Sequence, residues 1–266
     1  MQKKKVGIVG CGHLGSIIAG AFRDGLLPDY ELCGYLSRTR EKAEKLAADC
    51  GGKVCTDLKD LLSLKPDFIA EAASVEAVRQ IAVPVLSSGA DLILLSIGAL
   101  SDDSFYAGVL DTAAENGTKI YPASGAVGGF DVLRTVALMS RVSGKELSSC
   151  IHTQKGPESL RNTVLFRDAL LKPGTECDVF SGNAREAIRL LPTKVNVAVA
   201  AALATAGPGK TRVQITSTEG FKGDDHCITA QTDGVKATVD IFSSTGDIAA
   251  FSVISLLQNL ASPIVF

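Results

Sequence analysis

Residues 1–125 alternate between short apolar runs and longer stretches whose apolar positions recur with helical spacing. Unbroken apolar runs are typical of strands buried on both faces, and a recurrence of three to four residues is typical of an amphipathic helix. The pattern predicts strands at 6–9, 31–36, within 66–74, at 91–95 and at 118–121, and helices at 14–22, 39–48, 75–86 and 102–115. Such alternation predicts an α/β domain over residues 1–125, built on a doubly wound parallel sheet of the Rossmann type.

A glycine pattern, G-x-G-x-x-G, connects the first predicted strand to the first predicted helix. It consists of Gly10, Gly12 and Gly15, with His13 and Leu14 before the last glycine. The first glycine permits a tight turn, the second lets a pyrophosphate approach the backbone, and the third lets the helix pack closely on the sheet. The helix N-terminus then offers N–H groups to the phosphates. We therefore predict dinucleotide binding at 10–15; the alternative is a glycine-rich turn in another kind of α/β domain.

The end of the second predicted strand bears on the choice between NADP and NAD. A carboxylate at this place usually binds the ribose hydroxyls of NAD. Here the chain reads Ser37, Arg38, Thr39 and Arg40, with no carboxylate. Hydroxyl and guanidinium groups suit a 2′-phosphate, so we expect NADP to be accepted and preferred, with NAD possible. The alternative is that both arginines are solvated at the helix start and NAD binds without the carboxylate.

Small and polar residues follow the other predicted strands. Because ligands bind at the carboxyl ends of parallel strands, we predict that these residues form the rim of the cofactor site. They are Ala73, Ser74, Ser96, Gly98, Ser124 and Gly125. The segment 121–131 holds three glycines, which allow a close backbone approach, and we interpret it as an interdomain hinge and a wall beside the nicotinamide. The alternative is a flexible loop without ligand contact.

The pattern changes after residue 147, where strands become more frequent. It predicts strands at 147–154, 213–218, 226–231 and 235–242, and helices at 184–190, 195–204 and 249–260. Asp233 and Gly234 lie between two strand-like runs and predict a hairpin turn. Clustered strands predict a largely antiparallel, mixed sheet with helices on one face, an α+β domain over 126–266 for substrate binding and dimerisation. The C-terminal helix could instead rejoin the first domain.

Composition excludes several classes of partner. The 266 residues are 46% hydrophobic with a formal net charge of −2, and the clustered lysines are confined to positions 3–5, so nucleic-acid binding has little support. Two uncharged apolar stretches, 195–209 and 248–266, are too short or too interrupted to span a bilayer, and we predict buried helices. The seven cysteines form no C-x-x-C pair, which argues against a metal site or disulfides and favours a reducing cytoplasm.

The three histidines differ in their fitness for acid–base chemistry. His13 lies in the phosphate loop, and His152 lies within a predicted strand, where a packing or surface role is simplest. His226 follows Asp224 and Asp225, whose carboxylates could raise its basicity and fix its tautomer. A catalytic role for His226 is one interpretation, and a plain strand-start histidine is the other.

Other polar residues in the second half are candidates for substrate binding. Asn196 opens an otherwise apolar helix, where it could be a helix-start residue or project its amide into a site. A negatively charged substrate would also need a cation. For any one of the candidates, the simpler interpretation is a solvated surface charge. The candidate cations are Lys155, Arg161, Lys194 and Lys222.

Over most of its length the chain resembles the L-aspartate dehydrogenases. The resemblance is carried by the glycine fingerprint at 10–15, by 71–78, 124–131 and 196–198, by the segment around His226, and by 260–266. It implies oxidation of L-aspartate to iminoaspartate with NAD or NADP, hydrolysis of iminoaspartate to oxaloacetate and ammonia, or the reverse reductive amination. It also implies a homodimer in which each subunit combines a Rossmann domain with an α/β domain.

The resemblance also implies roles for individual residues. The active-site histidine of the family falls on His226, and its nicotinamide-side contacts fall on Ala126 and Asn196. We expect the substrate, an amino acid or keto acid, to be bound by Ser124, Gly125, Asn196 and Lys155.

Two segments depart from the family pattern. A Lys-Pro-Pro segment is replaced by Lys155-Gly156-Pro157, and an Asn- and Pro-rich stretch ending in Lys-Thr-Ser is replaced by 242–249, which contains no lysine. A lost cation weakens carboxylate recognition, so another amino acid or an amine is an alternative substrate. A non-catalytic NADP-binding sensor is the alternative from a different class.

Overall fold

The computed structural model of the chain describes residues 3–192 and 194–266. The chain divides into two compact units. The first consists of Met1–Gly125 together with Asp247–Phe266, and the second is Ala126–Gly246.

The first unit contains a six-stranded sheet in the order β3-β2-β1-β4-β5-β6, and every pair of neighbouring strands is parallel. The strands are β1 Lys4–Val9, β2 Tyr30–Leu36, β3 Lys53–Val54, β4 Phe68–Glu71, β5 Asp91–Leu94 and β6 Ile120–Pro122. The strand order reverses direction between β1 and β4, which is the point where such sheets bind ligands. The predicted doubly wound parallel sheet is confirmed.

Helices connect these strands, and three of the five begin at a polar residue whose side chain caps the helix. They are α1 His13–Arg23, α2 Arg40–Cys50, α3 Leu58–Ser63, α4 Val75–Ser87 and α5 Asp103–Asn116. The side chains of Asp57, Ser74 and Asp102 accept hydrogen bonds from N–H groups in the first turns of α3, α4 and α5. Each cap satisfies an N–H that has no partner inside its helix and thereby fixes where the helix starts.

The second unit contains a five-stranded sheet in the order β11-β10-β7-β9-β8. Its elements are α6 Phe130–Ser143, β7 Ser148–Lys155, β8 Glu176–Asn183, α7 Ala184–Leu190, α8 Asn196–Ala204, β9 Arg212–Thr218, β10 Asp224–Thr232 and β11 Val235–Ser243. Strands β7 and β9 pair in parallel and the other pairs are antiparallel, so the predicted mixed, largely antiparallel sheet is confirmed. Residues Asp233 and Gly234 form the predicted turn between β10 and β11.

One face of this second sheet is covered by helices. Helix α6 packs on β10 and β11, and α8 packs on β7. In β7 every second residue is buried, and the residues between them are only half-buried or exposed. This alternation follows from the two-residue side-chain period of a strand with one covered face.

The last helix, α9 Asp247–Ala261, belongs to the first unit. Its buried residues Ala250, Val253, Ile254 and Leu257 join the core formed by α1, β1 and β2, and the Tyr30 hydroxyl donates to the Leu257 carbonyl (2.8 Å). The second unit therefore ends at Gly246 and not at the C-terminus.

Some elements were not predicted from the sequence pattern. They are the short strand β3, the short helix α3, the edge strand β8, and three turns of 3₁₀ helix, Ile97–Ser101, Pro157–Leu160 and Asp168–Leu171. The alternation in β8 is broken by a register shift between Asp178 and Phe180, and a bulge of this kind obscures a period of two. Within residues 3–192 and 194–266, no helix has the length and apolar character needed to cross a membrane.

Gly15 and Gly108 lie in helices but differ in the space around them, which gives a matched stability test. A Cβ at Gly15 would overlap the carbonyl oxygen of Gly10, whereas a Cβ at Gly108 meets nothing within 4 Å. We expect Gly15→Ala to reduce the free energy of unfolding by about 3 kcal/mol, because the backbone of Gly10 is part of a packed turn. Gly108→Ala should increase it by about 0.5–1 kcal/mol through reduced backbone entropy. Denaturant unfolding measures both, and equal stability of the two variants would contradict the packing argument.

Candidate active site

A cavity of about 480 Å³ lies at the carboxyl ends of β1, β2 and β4 in the first unit. Seven of the predicted cofactor-binding residues line it: Gly10, Gly12, Ser37, Arg38, Thr39, Ala73 and Ser74. Lining residues that the sequence pattern did not single out include Lys42, Thr56, Glu76 and Gln80. The cavity is at the reversal of strand order, where a parallel sheet of this kind binds dinucleotides.

The glycine loop beside this cavity fits a pyrophosphate. Gly10 has φ +102°, and a Cβ there would lie 2.5 Å from the carbonyl oxygen of Ala72, so the turns after β1 and β4 meet backbone to backbone. A Cβ at Gly12 would meet nothing within 4 Å. Gly12 is also the N-cap residue of α1 and supplies no side-chain cap. The first turn of α1 therefore presents N–H groups beside open space, as an anion-binding helix N-terminus does.

The end of the cavity beside β2 is rich in cations and hydroxyl groups. Ser37, Arg38, Thr39, Lys42 and Thr56 lie there. The acidic residue among the lining residues, Glu76, lies instead on α4. Arg38 and Lys42 could bind a phosphate where an NAD-specific site would carry a carboxylate.

The structure separates Arg40 from this group. Its guanidinium Nε donates to Glu44 at 2.7 Å, one turn further along α2, and Arg40 does not line the cavity. The two neighbouring arginines therefore have different environments.

The remaining predicted cofactor residues of the first unit lie outside the cavity lining. His13 is exposed and its Nε2 is 2.5 Å from Oδ1 of Asp247, while Leu14 packs against the core. The Ser96 hydroxyl is buried and donates to Glu71 (2.8 Å). Gly98 lies in the 3₁₀ turn, where its carbonyl accepts a hydrogen bond from Ser101 (2.8 Å). Each of these residues thus contacts another part of the first unit and does not line the cavity.

The residues predicted around the hinge are distributed over the two units. Ser124 and Gly125 end the first stretch of the first unit, where the Gly125 N–H donates to Ser252 Oγ of α9 (3.0 Å). Ala126 opens the second unit. Asn196 is half-buried as the first residue of α8, after the N-cap residue Val195, so it does occupy a helix start.

A buried polar cluster lies on the helix-covered face of the second sheet. His226 and Lys155 are each only 2% exposed. Nδ1 of His226 is 2.9 Å from the hydroxyl oxygen of Thr153, and the Lys155 ammonium is 3.1 Å from Oδ1 of Asp224. Register explains the grouping, because His226 lies opposite Thr153 and Asp224 lies opposite Lys155 in the β10–β7 ladder.

The environment of His226 keeps its imidazole neutral. Burial lowers its pKa to about 4; the nearby Asp224 carboxylate opposes this shift, and the Lys155 ammonium adds to it. Burial has this effect because it disfavours the charged form of the ring. At neutral pH the ring can therefore accept a proton.

Ser217 extends this cluster and was not identified from the sequence. It lies opposite Lys155 in the β7–β9 ladder and is fully buried. Its hydroxyl has no hydrogen-bond partner among the described residues. The signal in the sequence, one serine in a strand, is too common to be informative.

The other candidate cations are on the surface. Arg161 is paired with the exposed Glu158, and Lys194 and Lys222 are exposed. Lys155 is the buried one among the four candidates.

Comparison with known proteins assigns the family. A family model for the C-terminal part of aspartate dehydrogenase matches residues 135–260, and one for the NAD-binding domain of homoserine dehydrogenase matches 10–123. The chain is 31% identical to an L-aspartate dehydrogenase of Methanococcus maripaludis and 34% identical to one of Methanospirillum hungatei, each alignment covering 98% of both chains. The chain belongs to the L-aspartate dehydrogenase family.

Solved structures agree on the fold. The crystal structure of aspartate dehydrogenase from Thermotoga maritima matches with a TM-score of 0.75 over 99% of each chain, at 23% identity. A structure of GenD2 from gentamicin biosynthesis, solved in complex with NAD, matches with a TM-score of 0.59 at 13% identity, covering 100% of this chain and 89% of GenD2. As a member of the L-aspartate dehydrogenase family, the chain is an oxidoreductase that uses a nicotinamide dinucleotide.

The charges around His226 predict how its titration responds to substitution. Asp224→Asn should lower its pKa further, because a carboxylate favours the imidazolium, and Lys155→Met should raise it, because an ammonium opposes a second positive charge. NMR titration of the imidazole, with the signal assigned through His226→Gln, measures both shifts. Glu115→Gln, an exposed change in α5, is the control and should leave the pKa of His226 unchanged. Shifts in the opposite directions would contradict this description of the cluster.

Proposed function

We propose that this family member oxidises L-aspartate to iminoaspartate with NADP and also catalyses the reverse reductive amination. The observation that carries the proposal is similarity over 98% of the chain to curated L-aspartate dehydrogenases. The buried His226–Lys155 cluster supports it, because a neutral base and a cation are what an amino-acid substrate requires.

In the proposed reaction the cofactor accepts the hydride, and residues of the second unit transfer protons and bind the substrate. When bound, the nicotinamide dinucleotide supplies the acceptor for the hydride that leaves the substrate Cα. His226 takes up the proton released from the substrate amine or from the water that hydrolyses the imine, and Thr153 orients its ring through Nδ1. Lys155 binds a substrate carboxylate and is held by Asp224. The free Ser217 hydroxyl provides a further donor on the same face.

The cofactor roles follow the geometry of the first unit. The loop at 10–15 would hold the pyrophosphate, and Ser37, Arg38 and Thr39 with Lys42 would hold a 2′-phosphate, so NADP is the preferred cofactor and NAD a possible one. The nicotinamide end would be shaped by the loops after β4, β5 and β6. The proposed residues there are Ala73, Ser74, Ser96 and Gly98, together with Ala126 and Asn196, and Ser124, Gly125 and Asn196 would also contact the substrate.

A different amino acid or an amine is the second candidate substrate. One contact favours it: the Lys155 ammonium already has Asp224 as a partner at 3.1 Å. A partly compensated cation binds a second carboxylate less strongly than a free one.

We infer a cytoplasmic homodimer. All seven cysteines are free thiols in this structure, which suits a reducing compartment. The face of the second sheet opposite α6 and α8 carries half-buried polar residues such as His152, and a buried Asp225 oxygen there has no hydrogen-bond partner among the described residues. A second copy could cover this face.

A substrate screen tests the proposed function. Reduction of NADP and NAD should be strongest with L-aspartate among amino acids and amines, and oxidation of NADPH should require oxaloacetate and ammonia. His226→Gln should lower kcat by about 10²–10⁴-fold, the range for loss of a general acid–base group, while cofactor binding persists. Dinucleotide binding without turnover of any substrate would favour the sensor, and preferred turnover of another amino acid would favour the second candidate.

The two arginines after β2 give a matched test of cofactor choice. Arg38→Ala should raise KM for NADP about tenfold or more while changing KM for NAD little, because one charge-assisted phosphate contact contributes about 1.5–3 kcal/mol. Arg40→Ala is the control, since Arg40 pairs with Glu44 outside the cavity, and it should change neither constant. A preference of the wild-type enzyme for NAD would contradict the assignment.

A further inference from the structure

Glu71 is a buried carboxylate to which the proposed mechanism gives no role. It is the last residue of β4 and 0% exposed. In the sheet it pairs with Val9 of β1 on one side and with Leu94 of β5 on the other. Its side chain therefore starts from the centre of the sheet, at the reversal of strand order where the cofactor cavity opens.

Hydrogen bonds join the Glu71 carboxylate to the loops after β4 and β5. Oε1 accepts from the Ala73 N–H (2.7 Å) and from the Ser96 hydroxyl (2.8 Å), and Oε2 accepts from the Ser96 N–H (2.9 Å). Two of these bonds cross from β4 to the loop after β5. A single side chain thus connects two segments that are 25 residues apart in the chain.

The partners of the carboxylate are all neutral donors. Burial raises the pKa of Glu71, and hydrogen bonds from Ser96, Ala73 and Ser74 oppose that shift. A buried carboxylate held only by neutral groups costs stability, and an apolar residue would fill the position more cheaply. A carboxylate at position 71 is explained if the loops that it holds have a function that requires a fixed conformation.

One of those loops lines the cofactor cavity. Ala73 and Ser74 are lining residues, and the Glu71 carboxylate fixes the N–H of the first of them. We propose that Glu71 is a positioning residue for the dinucleotide: as a double acceptor it holds the loops 72–74 and 96–98 in the conformation that binds the nicotinamide end of the cofactor. This inference rests on the proposed dinucleotide site.

Glutamine is an informative replacement for Glu71, because it exchanges one acceptor oxygen for an amide nitrogen that donates. Both carboxylate oxygens accept from backbone N–H groups, which cannot themselves accept. The amide nitrogen introduced by Glu71→Gln would therefore face the N–H of Ala73 in one orientation and that of Ser96 in the other. The side chain keeps its size and shape, but one of the two loops must lose its hydrogen bond to residue 71.

The test compares cofactor binding with turnover. Glu71→Gln should raise the dissociation constant for NADPH, followed by its fluorescence, and KM for the cofactor about tenfold or more, with kcat at saturating cofactor within about threefold of wild type. Hydrogen exchange of the amides in 72–74 and 96–98 should accelerate. Ser96→Ala should give a smaller increase and add little to Glu71→Gln in the double variant, because both act through the same contacts. Glu115→Gln on the surface of α5 should change nothing.

Each outcome bears on the inference. Unchanged NADPH affinity and amide exchange in Glu71→Gln would overturn it, as would a fall in kcat without a rise in KM. If Glu71→Gln does not fold, the same measurements on Glu71→Asp and Ser96→Ala test the role of Glu71. If the wild-type chain binds neither NADPH nor NADH, the proposed function fails, which is distinct from a failure of the role of Glu71.

Discussion

The crevice of the first unit depends on direct contact between two backbone turns, the one after β1 and the one after β4. Gly10 adopts a left-handed φ, and any Cβ on it would press against the Ala72 carbonyl. Because no side chain stands between the turns, α1 can start at the crevice with its N–H groups uncapped. Gly12 leaves the space in front of them open. The open space in front of these N–H groups therefore results from the absence of a side chain at two positions, and strand order places it at the centre of the sheet.

The second unit buries polar side chains, and their burial is unfavourable for the free energy of folding. Lys155, His226 and Ser217 lie on a sheet face that is otherwise covered by apolar helices. The Lys155 ammonium is paired with the Asp224 carboxylate at 3.1 Å, and burial keeps the His226 imidazole neutral. The same desolvation that is unfavourable for folding gives a base that is unprotonated at neutral pH.

In the proposed mechanism, the choice of substrate depends on the balance of charge at Lys155. Aspartate differs from most amino acids by a second carboxylate, and binding it requires positive charge that has not already been neutralised. The pairing of Lys155 with Asp224 and the lack of a lysine in 242–249 both reduce that charge. Full-length similarity to L-aspartate dehydrogenases favours aspartate, and the relative strength of these effects separates the proposed function from its alternative.

The sequence by itself determined the features that depend only on residues close to one another along the chain. A strand followed by G-x-G-x-x-G and a helix predicts a dinucleotide-binding turn, because each glycine is required by local steric constraints. The alternation of apolar runs with amphipathic segments predicts the parallel sheet. Only the tertiary structure decided what depends on register and distance along the chain. It placed α9 in the first unit, set Thr153 opposite His226 and Asp224 opposite Lys155, distinguished Arg38 from Arg40, and joined Glu71 to Ser96. The pairings between strands leave no local pattern in the sequence, because strand register is fixed by packing across the whole sheet.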